Sequence, residues 1–130
     1  MPAGVTSGIR IDSSFMNLKA IGINQTRPVV NELLLQDEKI LSVYQTVRDQ
    51  VVFTDKRIIV INVQGLTGKK TAYMSYPYSR IQNFAVQTAG VLDIDCELLI
   101  FFVNGLALQF DFRAGVDIKS ISHFIASHVL

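Results

Sequence analysis

Asn104-Gly105 stands between two apolar runs, and this constrains the chain more than any other feature. Asn-Gly so placed is the strongest short-range signal for a β-hairpin, because a two-residue turn asks both residues for positive φ. The second arm alternates. Leu106, Leu108, Phe110 and Phe112 face one way, and Ala107, Gln109 and Asp111 the other, the period of a half-buried strand. In the first arm, Ile94, Cys96, Leu98, Ile100 and Phe102 share a face assigned to the core. Asp93, Asp95, Glu97, Leu99, Phe101 and Val103 share the opposite face, which begins acidic and turns apolar. An antiparallel sheet is specified; a chemistry is not.

A chain of 130 residues fits one domain, burying roughly two thirds of its unfolded surface. It is 49% apolar and 18% charged, with a mean hydropathy of +0.33; soluble domains are typically about 25% charged. So little charge implies that another protein covers some of the surface. No apolar run reaches the ~18 residues of a membrane span. A net charge of +1 gives no field to steer the chain toward nucleic acid. There is no basic segment followed by an apolar block and a cleavage site, so no signal peptide is expected. The single cysteine, Cys96, precludes an internal disulfide, and a cytoplasmic location is expected.

Residues 1–26 lack a sustained period and are expected to form an irregular or partly disordered arm. Thr26, Arg27 and Pro28 offer a cap and an early proline, with Val29, Val30, Leu33 and Leu34 at helical spacing after them. Consecutive strands are then expected over residues 40–47, 51–54, 58–63, 71–76 and 81–88, before the hairpin. Pro77 should end or bulge its strand, and Ala89-Gly90 should turn the chain. Ile118, Ile121, Ser122, Ile125 and Val129 then recur at helical spacing, predicting an amphipathic helix over residues 116–129. Asp117 suits its N-terminus and His128 its C-terminus.

Residues 52–61 (Val52 through Thr54-Asp55-Lys56-Arg57 to Ile61), 64–70 with Gly65 and Gly68, and 75–81 with Tyr76-Pro77-Tyr78 resemble the bacterial pleckstrin homology (PH)-like domain family. Phe84 to Gly90, Asp93 to Leu98 and the helix entry Gly115 to Ile118 continue the likeness, which covers about residue 33 to the end. It implies a mainly β fold over residues 27–130: a seven-stranded antiparallel barrel or sandwich capped by one C-terminal amphipathic helix. Members of that family tend to form ring-like homo-oligomers and have no established enzymatic activity.

Gly65-Leu66-Thr67-Gly68-Lys69-Lys70 offers backbone amides and two ammonium groups to an anion. It is not a nucleotide P-loop, since Val63 stands where the motif needs glycine and no helix follows. Lys56, Arg57 and Arg80 are further candidates for anionic groups or lipid. Headgroup-binding PH domains usually carry basic clusters around their first hairpin link; here that link is Arg48-Asp49-Gln50, one cation beside one anion. Asp93, Asp95 and Glu97 share a strand face, a spacing that Ca²⁺ or Mg²⁺ can use, but strand-mounted acids more often form a solvated edge. His123 and His128 lie about 140° apart on the helix and share no metal face. Cys96 lies with Ile94 and Leu98, a core position. No catalytic, cofactor or metal motif emerges.

The expected function is therefore non-enzymatic binding or scaffolding, through homo-oligomerisation (a ring if the contact is head-to-tail) and contact with a further, unidentified protein. Leu99, Phe101 and Val103, rimmed by Asp95 and Glu97, form the expected interface, since soluble proteins seldom leave such a patch bare. The alternative is a membrane- or anionic-ligand-binding module using the 65–70 loop.

Overall fold

Alternating apolar residues and short turns make this chain mainly β with one C-terminal helix, as expected. The computed structural model describes residues 5–6, 9–88 and 95–130; Asp93, Ile94 and the Ala89-Gly90 turn lie outside them. The elements in order are β1 (Val5–Thr6), β2 (Ile9–Arg10), β3 (Ser13–Ile21), α1 (Val29–Leu33), β4 (Ile40–Gln45), β5 (Gln50–Thr54), β6 (Arg57–Gln64), β7 (Lys70–Pro77), β8 (Ile81–Thr88), β9 (Cys96–Phe102), β10 (Ala107–Phe112) and α2 (Ile118–Val129). The chain forms two compact units, one of Met1–Lys19 with Tyr78–Leu130, the other of Ala20–Pro77.

In the first unit, β9 pairs antiparallel with both β8 and β10. β3 adds to β10 in parallel. The seven expected strands are present as β4 to β10. The eighth, β3, corrects both the all-antiparallel expectation and the irregular arm placed at residues 1–26. Its period is broken by a bulge. Phe15 pairs with Phe110 and Leu18 with Phe112, so three steps along β3 match two along β10. Asn17, inside the bulge, has φ 59°. The extra residue puts Phe15 and Leu18 on one face, although period-two counting separates them. Phe15 stacks on Phe110 at 5.1 Å between ring centroids, and Leu18 is buried.

The hairpin is present, with a different turn. Phe102 accepts from the Gly105 N–H at 2.9 Å and donates to the Leu106 carbonyl at 2.8 Å. The connection is thus three residues, Val103 to Gly105. Only Gly105 takes positive φ, 89°, as in a type I turn completed by a left-handed glycine. Asn104 instead accepts from the Leu106 N–H at 3.1 Å.

α2 starts where Asp117 accepts from the Ser120 N–H at 3.2 Å. Ile118, Ile121 and Ile125 are buried. The helix docks on β8 and on the one-turn helix Tyr78–Arg80, where Tyr78 meets Phe124 edge-on at 5.2 Å.

In the second unit, β4, β5, β6 and β7 form an antiparallel meander. Val30, Val43, Val52, Ile59 and Ile61 make its core, with Ile21, Leu34, Ile40 and Tyr73 packed against it. α1 is shorter than expected, because Leu34 is already extended at φ −67°, ψ 144°. Thr26 does not cap it; its hydroxyl donates back to the Ile23 carbonyl at 2.6 Å.

Ile125 is fully buried, so Ile125→Ala is expected to cost about 2–5 kcal/mol by leaving a cavity. Urea unfolding measures this; an unchanged midpoint would mean that α2 is not docked by this side chain.

Candidate functional site

Two tight links in the second unit are braced to each other. Between β4 and β5, the Thr46 N–H donates to the Asp49 carbonyl at 2.9 Å, and the Asp49 N–H donates to Thr46 Oγ1 at 3.0 Å. The Asp49 carboxylate accepts from the Val63 N–H at 2.9 Å and from Asn62 Nδ2 at 3.2 Å, at the end of β6. Arg48 donates through Nη2 to the Gly65 carbonyl in the loop between β6 and β7. So Arg48 and Asp49 do not neutralise one another; each ties the first link to the second.

The second link turns on Gly65 (φ 78°) and Gly68 (φ 66°). A side chain at Gly68 would crowd Val63 Cγ1 at 3.3 Å. Between the links lies an open groove of about 630 Å³, with Arg27, Arg48, Gln45, Thr67 and Gly68 in its walls. Arg27 is placed by buried Gln50, whose Oε1 accepts from the Arg27 N–H and whose Nε2 donates to the Gln25 carbonyl, both at 3.0 Å. The sequence did not single out Arg27. Its partner Gln50 is twenty-three residues away, and no local pattern announces that contact.

The candidate cations separate. Lys69 and Lys70 are exposed at the loop's end. Lys56 is also exposed and lies 4.0 Å from Asp37. Arg80 is exposed in the first unit, where its carbonyl accepts from the Val103 N–H at 2.9 Å.

Arg57 is committed to the fold. Its Nε and Nη2 donate to the two Glu38 carboxylate oxygens at 2.9 Å each. It also reaches the Leu33 carbonyl at 2.7 Å and Ser75 Oγ at 3.0 Å. Glu38 is buried and accepts further from Thr54 Oγ1 at 2.6 Å and the Leu35 N–H at 3.0 Å. Burial pushes the Glu38 carboxyl up, but the hydrogen bonds from Arg57, Thr54 and Leu35, with the Arg57 charge, outweigh it and hold the group below its ordinary value.

The apolar face of β9 is largely covered from within. Leu99 is 0% exposed and packs with Ile11 and Ala107, with Ala85 and Phe101 against them. The arm supplies that cover: the Asp12 N–H donates to the Ala107 carbonyl at 2.8 Å, and Asp12 Oδ2 accepts from the Ala107 N–H at 2.7 Å. This corrects the expectation of a bare patch at Leu99. Phe101 is half-buried, and Val103, at the hairpin tip, is 59% exposed.

Of the acids beside that face, Asp95 accepts from the Ala114 N–H at 2.7 Å. Glu97 stands directly opposite Asp111 across the ladder, and burial, then Asp111, then Asp95, push its carboxyl up. Cys96 is buried in the same strand, and burial followed by the charges of Glu97, Asp95 and Asp111 raises its thiol pKa, the opposite of an activated nucleophile.

The model for the bacterial PH domain matches residues 10–129. This chain belongs to the bacterial PH domain family. The uncharacterized protein YjqA of Bacillus subtilis (strain 168) is 42% identical over 120 residues, 90% of this chain and 95% of that protein. A solved DUF1696 family protein with a pleckstrin-homology domain, from Shewanella loihica PV-4, superposes with a TM-score of 0.76 at 34% identity. That match covers 88% of this chain and 99% of the other. The pleckstrin homology domain from Shewanella amazonensis SB2B gives 0.63 at 36% identity, covering 85% and 90%. The matched span starts at residue 10, so it takes in β3, which this PH domain uses as a strand.

Removing one partner of the Glu38–Arg57 pair strands the other. Arg57→Met is expected to cost about 3 kcal/mol, at the low end for a buried pair because Arg57 is itself partly exposed. A carboxyl whose pKa is depressed by folding contributes stability that is present above its unfolded value, 4.5 for Glu38, and lost as pH falls through the folded value. Urea unfolding over a pH series should therefore show a steeper acid loss in the unmodified chain than in Glu38→Gln. Equal slopes would mean that Glu38 does not couple to folding.

Proposed function

We propose that this PH domain is a non-enzymatic cytoplasmic scaffold that acts by self-association, through strand edges rather than through the Leu99 face. One observation carries the reading. β7 has a single hydrogen-bonded neighbour, β6, and β8 has a single neighbour, β9. Neither edge is guarded by charge: β8 has no Asp, Glu, Lys or Arg, and β7 has none after Lys70. Proteins normally blunt such edges with inward charges, bulges or very short strands, because an unguarded edge templates pairing with another chain. β7 and β8 each run eight residues. Met74 on β7 and Val86 on β8 are exposed, apolar side chains that an added strand would flank.

Low overall charge supports the same reading, as does Val103 at the hairpin tip. If β7 of one copy meets β8 of the next, the contact is head-to-tail, and repetition closes a ring or extends a filament. A strand from a different protein adds in the same way.

Lysine on each edge tests this. Met74→Lys with Val86→Lys is expected to leave far-UV circular dichroism near native and to reduce the particle to a monomer in light scattering. A double variant that keeps the unmodified particle mass, or an unmodified chain that is already monomeric, would rule the edges out as the self-association surface.

A further inference from the structure

The braced links of the second unit end in two bare apolar side chains. Val47 is 99% exposed and Leu66 is 105% exposed, each in a link where polar residues would cost nothing in water. Both border the same groove. Their positions are fixed relative to one another, because the Arg48–Gly65 and Asp49–Val63 hydrogen bonds tie one link to the other. A cation follows each: Arg48 directly after Val47, and Lys69 and Lys70 shortly after Leu66. The acid in these links, Asp49, spends its carboxylate on Val63 and Asn62. Arg48 uses one nitrogen on Gly65, leaving most of its five N–H donors to other acceptors.

We propose that Val47 and Leu66 are a paired membrane anchor, inserting shallowly into a bilayer whose headgroups are anionic while Arg48, Lys69 and Lys70 meet the phosphates. Two isolated tips suit a fluid apolar phase, which closes around each of them. They offer far less than the roughly 800 Å² that each partner buries in a stable protein interface. Interfacial binding scales with the apolar surface immersed plus the attraction of cations to anionic lipid, and basic residues close to a bilayer add to it with a range set by salt. Neither term suffices alone here, so binding should need both the tips and the anionic lipid. This surface is separate from the β7 and β8 edges, so it stands or falls independently of self-association.

Sedimentation of the full chain with vesicles tests the anchor. Binding is expected to phosphatidylcholine vesicles that contain phosphatidylglycerol, to weaken at high salt, and to be much lower on phosphatidylcholine alone. Val47→Ser with Leu66→Ser should reduce it by roughly tenfold, the loss of two small immersed side chains, with unfolding midpoint and particle mass unchanged. Lys69→Glu with Lys70→Glu should remove the salt-sensitive part. Three results would overturn the proposal: no sedimentation with anionic vesicles, binding indifferent to the serine pair, or displacement by free inorganic phosphate, which would place a soluble anion in the groove instead. A fall in particle mass of the serine pair without vesicles would overturn it too, by assigning the tips to a second copy.

Discussion

A buried carboxylate organises the second unit. Glu38 sits between α1 and β4, and both its oxygens face the Arg57 guanidinium at 2.9 Å. Taking these charges out of water is expensive, and the cost is offset only when every donor and acceptor finds a partner. Here they do. Glu38 also receives Thr54 from the end of β5 and the Leu35 N–H from the turn after α1. Arg57 reaches Leu33 and Ser75 on either side. One ion pair thereby fixes the end of α1, the β5–β6 turn and β7 at once. A hydrophobic pair of similar volume would fill the space without holding that geometry.

The same use of acids recurs through the chain. Asp12 receives the Ala107 N–H, Asp49 the Val63 N–H, Asp55 the Lys39 N–H, Asp95 the Ala114 N–H and Asp117 the Ser120 N–H. A carboxylate makes a stronger hydrogen bond to a backbone donor than a neutral acceptor does, so a chain with few charges gains stiffness by placing its acids at turns and strand ends. The cations are used differently. Apart from Arg57 and Arg48, the lysines and arginines named as candidates stay at the surface. A net charge near zero therefore conceals a local asymmetry: Arg48, Lys69 and Lys70 border a groove whose nearby acid is occupied. Summed over the chain the field is weak; at one pair of links it is positive.

Much of the strand pattern was legible in order. β8 begins and ends where alternation and turn residues put it, and β7 ends at Pro77, whose missing N–H cannot continue a ladder. α2 follows from the spacing of Ile118, Ile121 and Ile125. β3 was not legible, because the bulge at Asn17 breaks the period by which a strand is recognised and because its partner β10 lies about ninety residues away (Ser13 opposite Leu108). The hairpin turn was half legible. Asn104-Gly105 marks the place, but where the ladder closes at Phe102 and Leu106 decides whether the loop holds two residues or three. Among the site residues, Lys56, Lys69, Lys70 and Arg80 lie at the surface as their type suggests, whereas Arg57 turned inward to a partner nineteen residues earlier.

The sequence by itself determined that the chain is mainly β with one terminal helix, because apolar periods of two and of about 3.6 are local properties that need no partner to be read. It determined the hairpin's position and the buried faces of Cys96, Leu98, Ile100 and α2. Only the tertiary structure decided which second faces are covered. Leu99 reads as bare in its own strand and is buried because Ile11 arrives from the far end of the chain. Only the tertiary structure turned Asp49 away from Arg48 and toward Val63, and set Val47 and Leu66 on two links braced together. The physical reason is the same in each case. Burial and ion pairing depend on residues distant in sequence, and one chain's local pattern does not say which of them come together.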